Sequence, residues 1–220
     1  MITIKEYIDA KGRNPYAKWF NRLNAPAAAR VVTALVRMEQ VNFSNAKSVG
    51  EGVLENRVDF GPGYRIYFGR DGDQIVILLG GGTKKRQQKE AAKRHRGCQD
   101  TLEGIQKKKA TGELIMALTK DFKETIKDRI ERDPAFREEL LKEGIECLLT
   151  GDVDTGKAIL RDFINATIGF ESLGSATDKS PKSLMRMFSP KGNPQARNIF
   201  EIIAHLQKQE GIHFEVQTKR

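Results

Sequence analysis

The chain has 220 residues, 39% of them hydrophobic, with 38 Lys and Arg against 29 Asp and Glu for a formal net charge of +9. That is enough for one large core or two small ones, and no apolar run approaches the roughly 20 residues that a membrane helix needs. The two cysteines, Cys98 and Cys147, give neither metal spacing nor a disulfide framework, and the opening MITIKEYIDAKG lacks the basic-then-apolar layout of a signal peptide, so a cytoplasmic protein is expected.

In chain order, the first module reads β-α-α-β-β-β-α. ITIKEYI alternates as a short strand. NPYAKWFNRL opens a helix on Asn14 as cap with Pro15 in the first turn, and APAAARVVTALVRMEQ makes an Ala-rich second helix. Trp19 is expected to pack between these two helices. GVLENRVDF and YRIYFGR read as strands about the turn GPG, and DGD turns into QIVILLG. That last strand is apolar on both faces, which suits a central position covered on both sides. TKKRQQKEAAKRH follows as a basic helical tail.

Residues 97–115 lack a hydrophobic period and read as a linker or fusion joint. From Met116 onward the chain reads as a second, all-α module. TKDFKETIKDRIERD carries a Thr cap and stops before Pro134. PAFREELLKEGIECLLTGD lines up Phe136, Leu140, Leu141, Ile145 and Leu148, and DTGKAILRDFINAT lines up Leu160, Phe163 and Ile164. Two short helices follow, FESLGSAT and SPKSLMRMF, then NPQARNIFEIIAHLQKQ with Ile199, Ile202, Ile203 and Leu206 on one face. IHFEVQ reads as a short terminal strand.

Charge separates the modules. Residues 1–100 hold 18 Lys and Arg against 10 Asp and Glu, a net of +8, whereas residues 101–220 hold 20 against 19, a net of +1. A basic half of this kind fits a polyanionic partner. Strand alternation sets Tyr64, Ile66 and Phe68 on one face and Arg65 and Tyr67 on the other, while Glu55, Arg57 and Asp59 oppose Leu54, Val58 and Phe60. If the polar faces coincide, Arg57, Arg65 and Tyr67 share a surface, with Lys84, Lys85, Arg86 and Lys89 following. Such a cluster suits RNA cleavage, because RNA carries its own 2′-OH nucleophile and guanidinium groups stabilise the extra charge on phosphorus. A solvated basic edge is the plainer alternative.

NPYAKWFNRL, FGPGYRIYFGRDGD and ILLGGGTKKRQQKEA resemble the RelE/ParE superfamily of addiction-module toxins, close to its HigB-type killer proteins, over residues 1–96. The resemblance implies two helices on an antiparallel sheet, and for RelE-type members mRNA cleavage on the ribosome without metal or other cofactor. By that correspondence Arg65 is the strand arginine of the motif, and Lys84, Lys85 and Arg86 belong to the catalytic tail; Arg57 and Lys89, from the basic cluster itself, are expected to bind RNA. RelE members place a Tyr in that tail. Here it reads Gln87, Gln88, Lys89, so Tyr67 or a lysine is expected to move the proton. ParE-type members of the same fold poison gyrase instead.

GFESLGSATDKSPKSLMRMFSPKGNP has the layout of two short helices about a tight turn, the second capped by Ser180 and Pro181. At about 100° per residue, Leu184, Met185, Met187 and Phe188 fill one arc, and Lys182, Ser183 and Arg186 the other. Lys179, Ser180, Lys182, Ser183 and Arg186 are the expected DNA contacts, with Asn193 and Gln195 at the next helix start. The stretch from about 156 to 210, with INATIGFESLG and SPKSLMRMFSPKGNPQARNIFEII, resembles the Cro/CI-type helix-turn-helix of HigA-like antitoxins. That resemblance implies a homodimer that binds a palindromic operator and represses its own operon.

The expected whole is an α+β toxin (1–96), a joint (97–115) and an all-α antitoxin (116–220) on one chain. The antitoxin would neutralise the toxin, with Glu131, Asp133, Glu138, Glu139, Glu143 and Glu146 as candidate contacts for its basic face. The alternatives are a gyrase poison, or a DNA-binding repressor carrying an inactive toxin fold.

Overall fold

A computed structural model describes residues 2–9, 11–50, 52–71, 75–83 and 119–217. The basic tail with Lys84, Lys85, Arg86 and Lys89, the joint 97–115, His95 and Cys98 lie outside the described residues. The chain is mixed α and β. Its elements are β1 (Thr3–Tyr7), α1 (Pro15–Phe20), α2 (Ala25–Glu39), β2 (Ala46–Gly50), β3 (Val53–Val58), β4 (Tyr64–Asp71), β5 (Ile75–Thr83), β6 (Thr119–Asp121), α3 (Phe122–Arg132), α4 (Pro134–Leu149), α5 (Val153–Ala166), α6 (Gly169–Thr177), α7 (Pro181–Met187) and α8 (Ala196–Glu210). Two compact units are present, Met1–Ile126 and Lys127–Arg220, and the division falls inside α3. Among the described residues no helix is long and apolar enough to cross a membrane.

In the first unit the strands form one sheet in the order β2-β3-β4-β5-β1-β6. β2 to β5 are antiparallel neighbours, but β1 runs parallel to β5, with Thr3 opposite Ile75. The sheet is therefore mixed rather than wholly antiparallel. A parallel pair needs a long crossover, and the chain from α1 to β4 supplies it. β5 holds an interior place, and its neighbouring residues Leu78 and Leu79 are both buried, as its two apolar faces require. Two strands went unread in the sequence. AKSVG has one strong β-former among small and polar residues, and TKD is only three residues long.

Capping fixes the helices. The Asn14 side chain accepts a hydrogen bond from Ala17 N at 2.8 Å, and Asn24 accepts one from Ala27 N at 3.1 Å, each with Pro in the first turn. Ala27, Ala28 and Ala29 of α2 are buried, as are Val31, Val32, Leu35, Val36 and Met38. Trp19 does not sit simply between the two helices. Its indole lies on Gly81 of β5, beside the Tyr16 ring at 5.7 Å between centroids. The bare Cα of Gly81 is what lets α1 approach the sheet so closely.

In the second unit a buried cluster of Leu141, Leu160, Phe163, Phe170, Leu173, Leu184, Phe188, Ile202 and Leu206 joins α4 to α8. The helical stripes read from the sequence are the ones buried. Asp133 caps α4, accepting from Phe136 N at 3.1 Å. α3 starts at Phe122 behind a strand, so Thr119 is a strand residue and not its cap. Residues 212–217 form no strand, and Val216 is exposed.

Replacing Gly81 by Ala drives a methyl into the Trp19 ring. We expect a loss of about 1–3 kcal/mol in urea unfolding, the usual penalty of overpacking. Trp19→Leu in the Gly81→Ala background should restore part of that loss.

Candidate functional site

Strand register brings the polar residues of β2, β3 and β4 onto one face. Lys47 lies opposite Glu55, Glu55 opposite Tyr67, and Arg57 opposite Arg65. The sequence expectation that Arg57, Arg65 and Tyr67 share a face therefore holds, but the three do not form an open surface. Tyr67 is 1% exposed and Arg65 7%, whereas the Arg57 side chain is 42% exposed. Residues 64–69 of β4 are all buried, so both faces of the strand are covered there.

Glu55 sits at the centre of this face, and the sequence reading gave it no role. Its Oε1 lies 3.2 Å from Arg57 Nε, 3.2 Å from Arg65 Nε and 4.0 Å from Lys47 Nζ. The Arg57 contact is an aligned hydrogen bond; that to Arg65 Nε is an ion pair without hydrogen-bond alignment. Arg65 Nη1 also donates to the Tyr64 carbonyl at 3.3 Å. One carboxylate thus gathers three cations, which leaves the cluster positive and holds the guanidinium groups in place. The signal was available in principle, since a hairpin about GPG that pairs Arg57 with Arg65 must also pair Glu55 with Tyr67. Among the described residues no group of three or more His, Cys, Asp or Glu is placed to hold a metal ion.

A second cluster forms where the sheet ends. β6 pairs antiparallel with β1, with Glu6 opposite Lys120. Lys5 meets Asp121 at 3.6 Å, Lys123 meets Glu39 at 3.3 Å, and Phe122 and Ile126 are buried. Glu6 itself is wholly buried. Its Oε2 accepts from Thr125 Oγ1 at 2.9 Å and from Asn14 Nδ2, while Oε1 has no hydrogen-bond partner. Burial outweighs those two bonds and the nearby Lys120, with Asp121 adding to the upward push, and raises the Glu6 pKa from 4.5 to about 7.

In the second unit α6 ends on Asp178 in the left-handed conformation (φ 51°), and α7 begins at Pro181 with Ser180 as its cap. The Ser180 hydroxyl accepts from Ser183 N at 3.2 Å. Gly174 permits the tight turn, since a Cβ there would lie 2.6 Å from the Lys179 carbonyl. Lys182 and Arg186 are exposed, Ser183 is half-buried, and Leu184 and Phe188 face the core. Met185 corrects the two-arc expectation. It is 43% exposed, on the side of Lys182 rather than of Leu184. Lys179 is held at 2.8 Å by Glu201. Asn193 and Gln195 are exposed at the start of α8, and the loop before them is tied to α5 by buried Lys157, which donates to the Gly192 carbonyl at 2.7 Å.

Four of the six acidic residues expected to face the basic module are paired locally or buried. Asp133 caps α4 and pairs with Arg129 at 3.1 Å, Glu131 meets Lys127 at 3.9 Å, Glu139 meets Lys142 at 3.8 Å, and Glu143 is buried.

An uncharacterised protein of Haemophilus influenzae is 37% identical over 72 residues, 32% of this chain and 73% of that protein. No protein-family model and no solved structure matches the chain.

The raised Glu6 pKa sets a pH dependence. A carboxyl protonated in the fold stabilises it fully below about pH 4.5, and that stabilisation is lost as pH rises through about 7. At about 1.4 kcal/mol per pH unit the loss is about 3–4 kcal/mol. Glu6→Gln should flatten this slope, so that urea unfolding at pH 8 finds the variant more stable than the native chain.

Proposed function

The chain belongs to the same family as that Haemophilus influenzae protein, and we propose that it is a toxin–antitoxin module on one polypeptide. In this proposal the first unit carries a RelE/ParE-like toxin of the HigB type. The second carries a HigA-like helix-turn-helix antitoxin, with α6 and α7 as the motif. The observation that carries the proposal is the joint at Glu6. The first residues after the seam complete the sheet of the preceding module as β6 and bury Phe122 and Thr125 against it. Strand addition to an exposed sheet edge is a common way for one module to hold another. A tether raises the effective concentration of such a pair, into the millimolar range for a short flexible linker.

The toxin chemistry proposed is metal-independent cleavage of mRNA on the ribosome. The 2′-oxygen loses its proton and attacks the adjacent phosphorus, and the 5′-oxygen leaves with a proton. Arg65 and Arg57, with Lys84, Lys85, Arg86 and Lys89 from the tail, would stabilise the charge that gathers on phosphorus. Tyr67 would move a proton, and Glu55 adds a carboxylate on the same face for the same task. In the fold described here Arg65 and Tyr67 are buried and Glu55 offsets part of the positive charge. That arrangement suits a toxin held off.

The antitoxin unit would bind operator DNA as a homodimer and repress its own operon. Lys182, Ser183 and Arg186 project from α7 toward the groove, with Lys179, Ser180, Asn193 and Gln195 near the backbone.

Two measurements check these assignments. Residues 1–96, induced alone in a bacterium, should arrest growth and create new mRNA 5′ ends inside translated frames, and Arg65→Ala should abolish both. The intact chain should do neither. Arrest with DNA damage and intact transcripts would mark a gyrase poison, and no arrest from a folded fragment would leave a repressor with a silent toxin fold. In gel shifts with the DNA upstream of its own gene, the intact chain should form a specific complex. Arg186→Ala or Lys182→Ala should weaken that complex by about 1–3 kcal/mol if the side chain reads a base.

A further inference from the structure

We propose that a cleft between α2 and the end of β3 binds a nucleotide, its phosphate held by arginines and its base or sugar by amide side chains. The cleft has a volume of about 410 Å³, within the roughly 300–1,000 Å³ typical of small-ligand sites and too small for a duplex. Arg30, Thr33, Ala34 and Arg37 of α2 form one wall. Their spacing of three, four and seven residues places them on one face of the helix. On a helix that otherwise buries alanine, valine and leucine against the sheet, this face is polar and carries both of its arginines. The opposite wall is the end of β3, where Arg57 supplies a third guanidinium, and Asn42, Ser44 and Asn45 close the rim.

The walls are stitched together. Arg57 N donates to the Asn45 carbonyl at 3.1 Å, Asn42 N donates to the Arg37 carbonyl at 2.9 Å, and Ser44 N donates to Asn42 Oδ1 at 3.2 Å. The Arg30 guanidinium lies over the Phe60 ring at 5.8 Å, and Arg57 is oriented by Glu55. Arg30 and Arg37 make further interactions within the fold as well. Asp59 is the one carboxylate among the described residues that line the cleft, against three arginines.

A buried, unpartnered group also points to a ligand. Asn56 borders the cleft and is 4% exposed. Its Nδ2 donates to Met38 Sδ at 3.0 Å, but its Oδ1 has no hydrogen-bond partner. A buried amide oxygen without a donor costs about 1–3 kcal/mol. An exocyclic amine or a ribose hydroxyl is a donor of the kind it lacks. Guanidinium forks for a phosphate, amides for a base edge and an aromatic ring within the same wall together describe a nucleotide.

Two sources share this chemistry: a free nucleotide, or one residue of a single-stranded RNA. The second deepens the RNA-cleaving function, because Arg57 borders both the cleft and the Glu55 face and could pass a strand from one to the other. The test uses the intact chain with neither ribosome nor cleavage, so it stands apart from the toxin assay. Fluorescence polarisation with a labelled single-stranded RNA hexamer and calorimetry with AMP and CMP would be run on the native chain, Arg30→Ala/Arg37→Ala and Arg30→Lys/Arg37→Lys. We expect saturable binding that weakens at least tenfold in the alanine variant and less in the lysine variant, with both variants folded by circular dichroism. Binding of the hexamer but not of AMP or CMP assigns the site to RNA, and binding of a mononucleotide that displaces the hexamer assigns it to the free ligand. Failure of the native chain to bind any of these probes, or equal binding by the folded alanine variant, would overturn the proposal.

Discussion

The first unit depends on a buried carboxylate. Glu6 sits on β1, accepts a hydrogen bond from Asn14 before α1, and accepts another from Thr125 on α3. Asn14 turns its other side-chain atom to the amide of Ala17 and so starts α1. α1 in turn lays Trp19 on Gly81 of β5, the strand with which β1 pairs. The ring of contacts therefore closes through one side chain, and one of its oxygens is left without a hydrogen bond. Burial of a partly satisfied carboxylate is costly while it is ionised and much less so when it is protonated. The junction between the sheet and the chain after residue 118 is thus sensitive to proton activity.

A different balance governs the polar face of the sheet. Three cations surround Glu55, and two of the side chains expected to meet RNA are buried. A basic strand read alone looks like a surface that awaits a polyanion. Paired with its neighbour, it becomes a cluster in which the charges are partly satisfied by their own fold. The cleft beside α2 brings together three arginines, one of them the Arg57 that Glu55 orients, and one carboxylate among its described lining residues. The net charge of the N-terminal half therefore says that anions are favoured, and the pairing of individual side chains says where.

Much of the fold was legible because the signals are local. Asn14 before Pro15 and Ser180 before Pro181 mark helix starts, and both caps form as expected; Asn24 and Asp133 cap two further helices with Pro in the first turn, while Thr119 caps none. The apolar stripes of α4, α5 and α8 are buried along the faces that their spacing implies. The misses are the short elements. β2 and β6 have little apolar content and exist because a partner strand offers hydrogen bonds, a condition that no periodicity records. Met185 was misplaced because a seven-residue helix has too few turns for its faces to be told apart by angle alone.

By itself, the sequence determined the helix starts, the central place of the strand at 75–80, the sharing of a face by Arg57, Arg65 and Tyr67, and the gathering of basic charge before residue 100. Each follows from neighbours within a few residues or from the two-residue period of a strand. Tertiary structure alone decided that Arg65 and Tyr67 are buried, that Asn56 loses a hydrogen-bond partner beside a cleft, and that residues 119–121 finish the sheet begun at Thr3. These outcomes depend on which distant groups exclude water from one another, and local propensity carries no information about that.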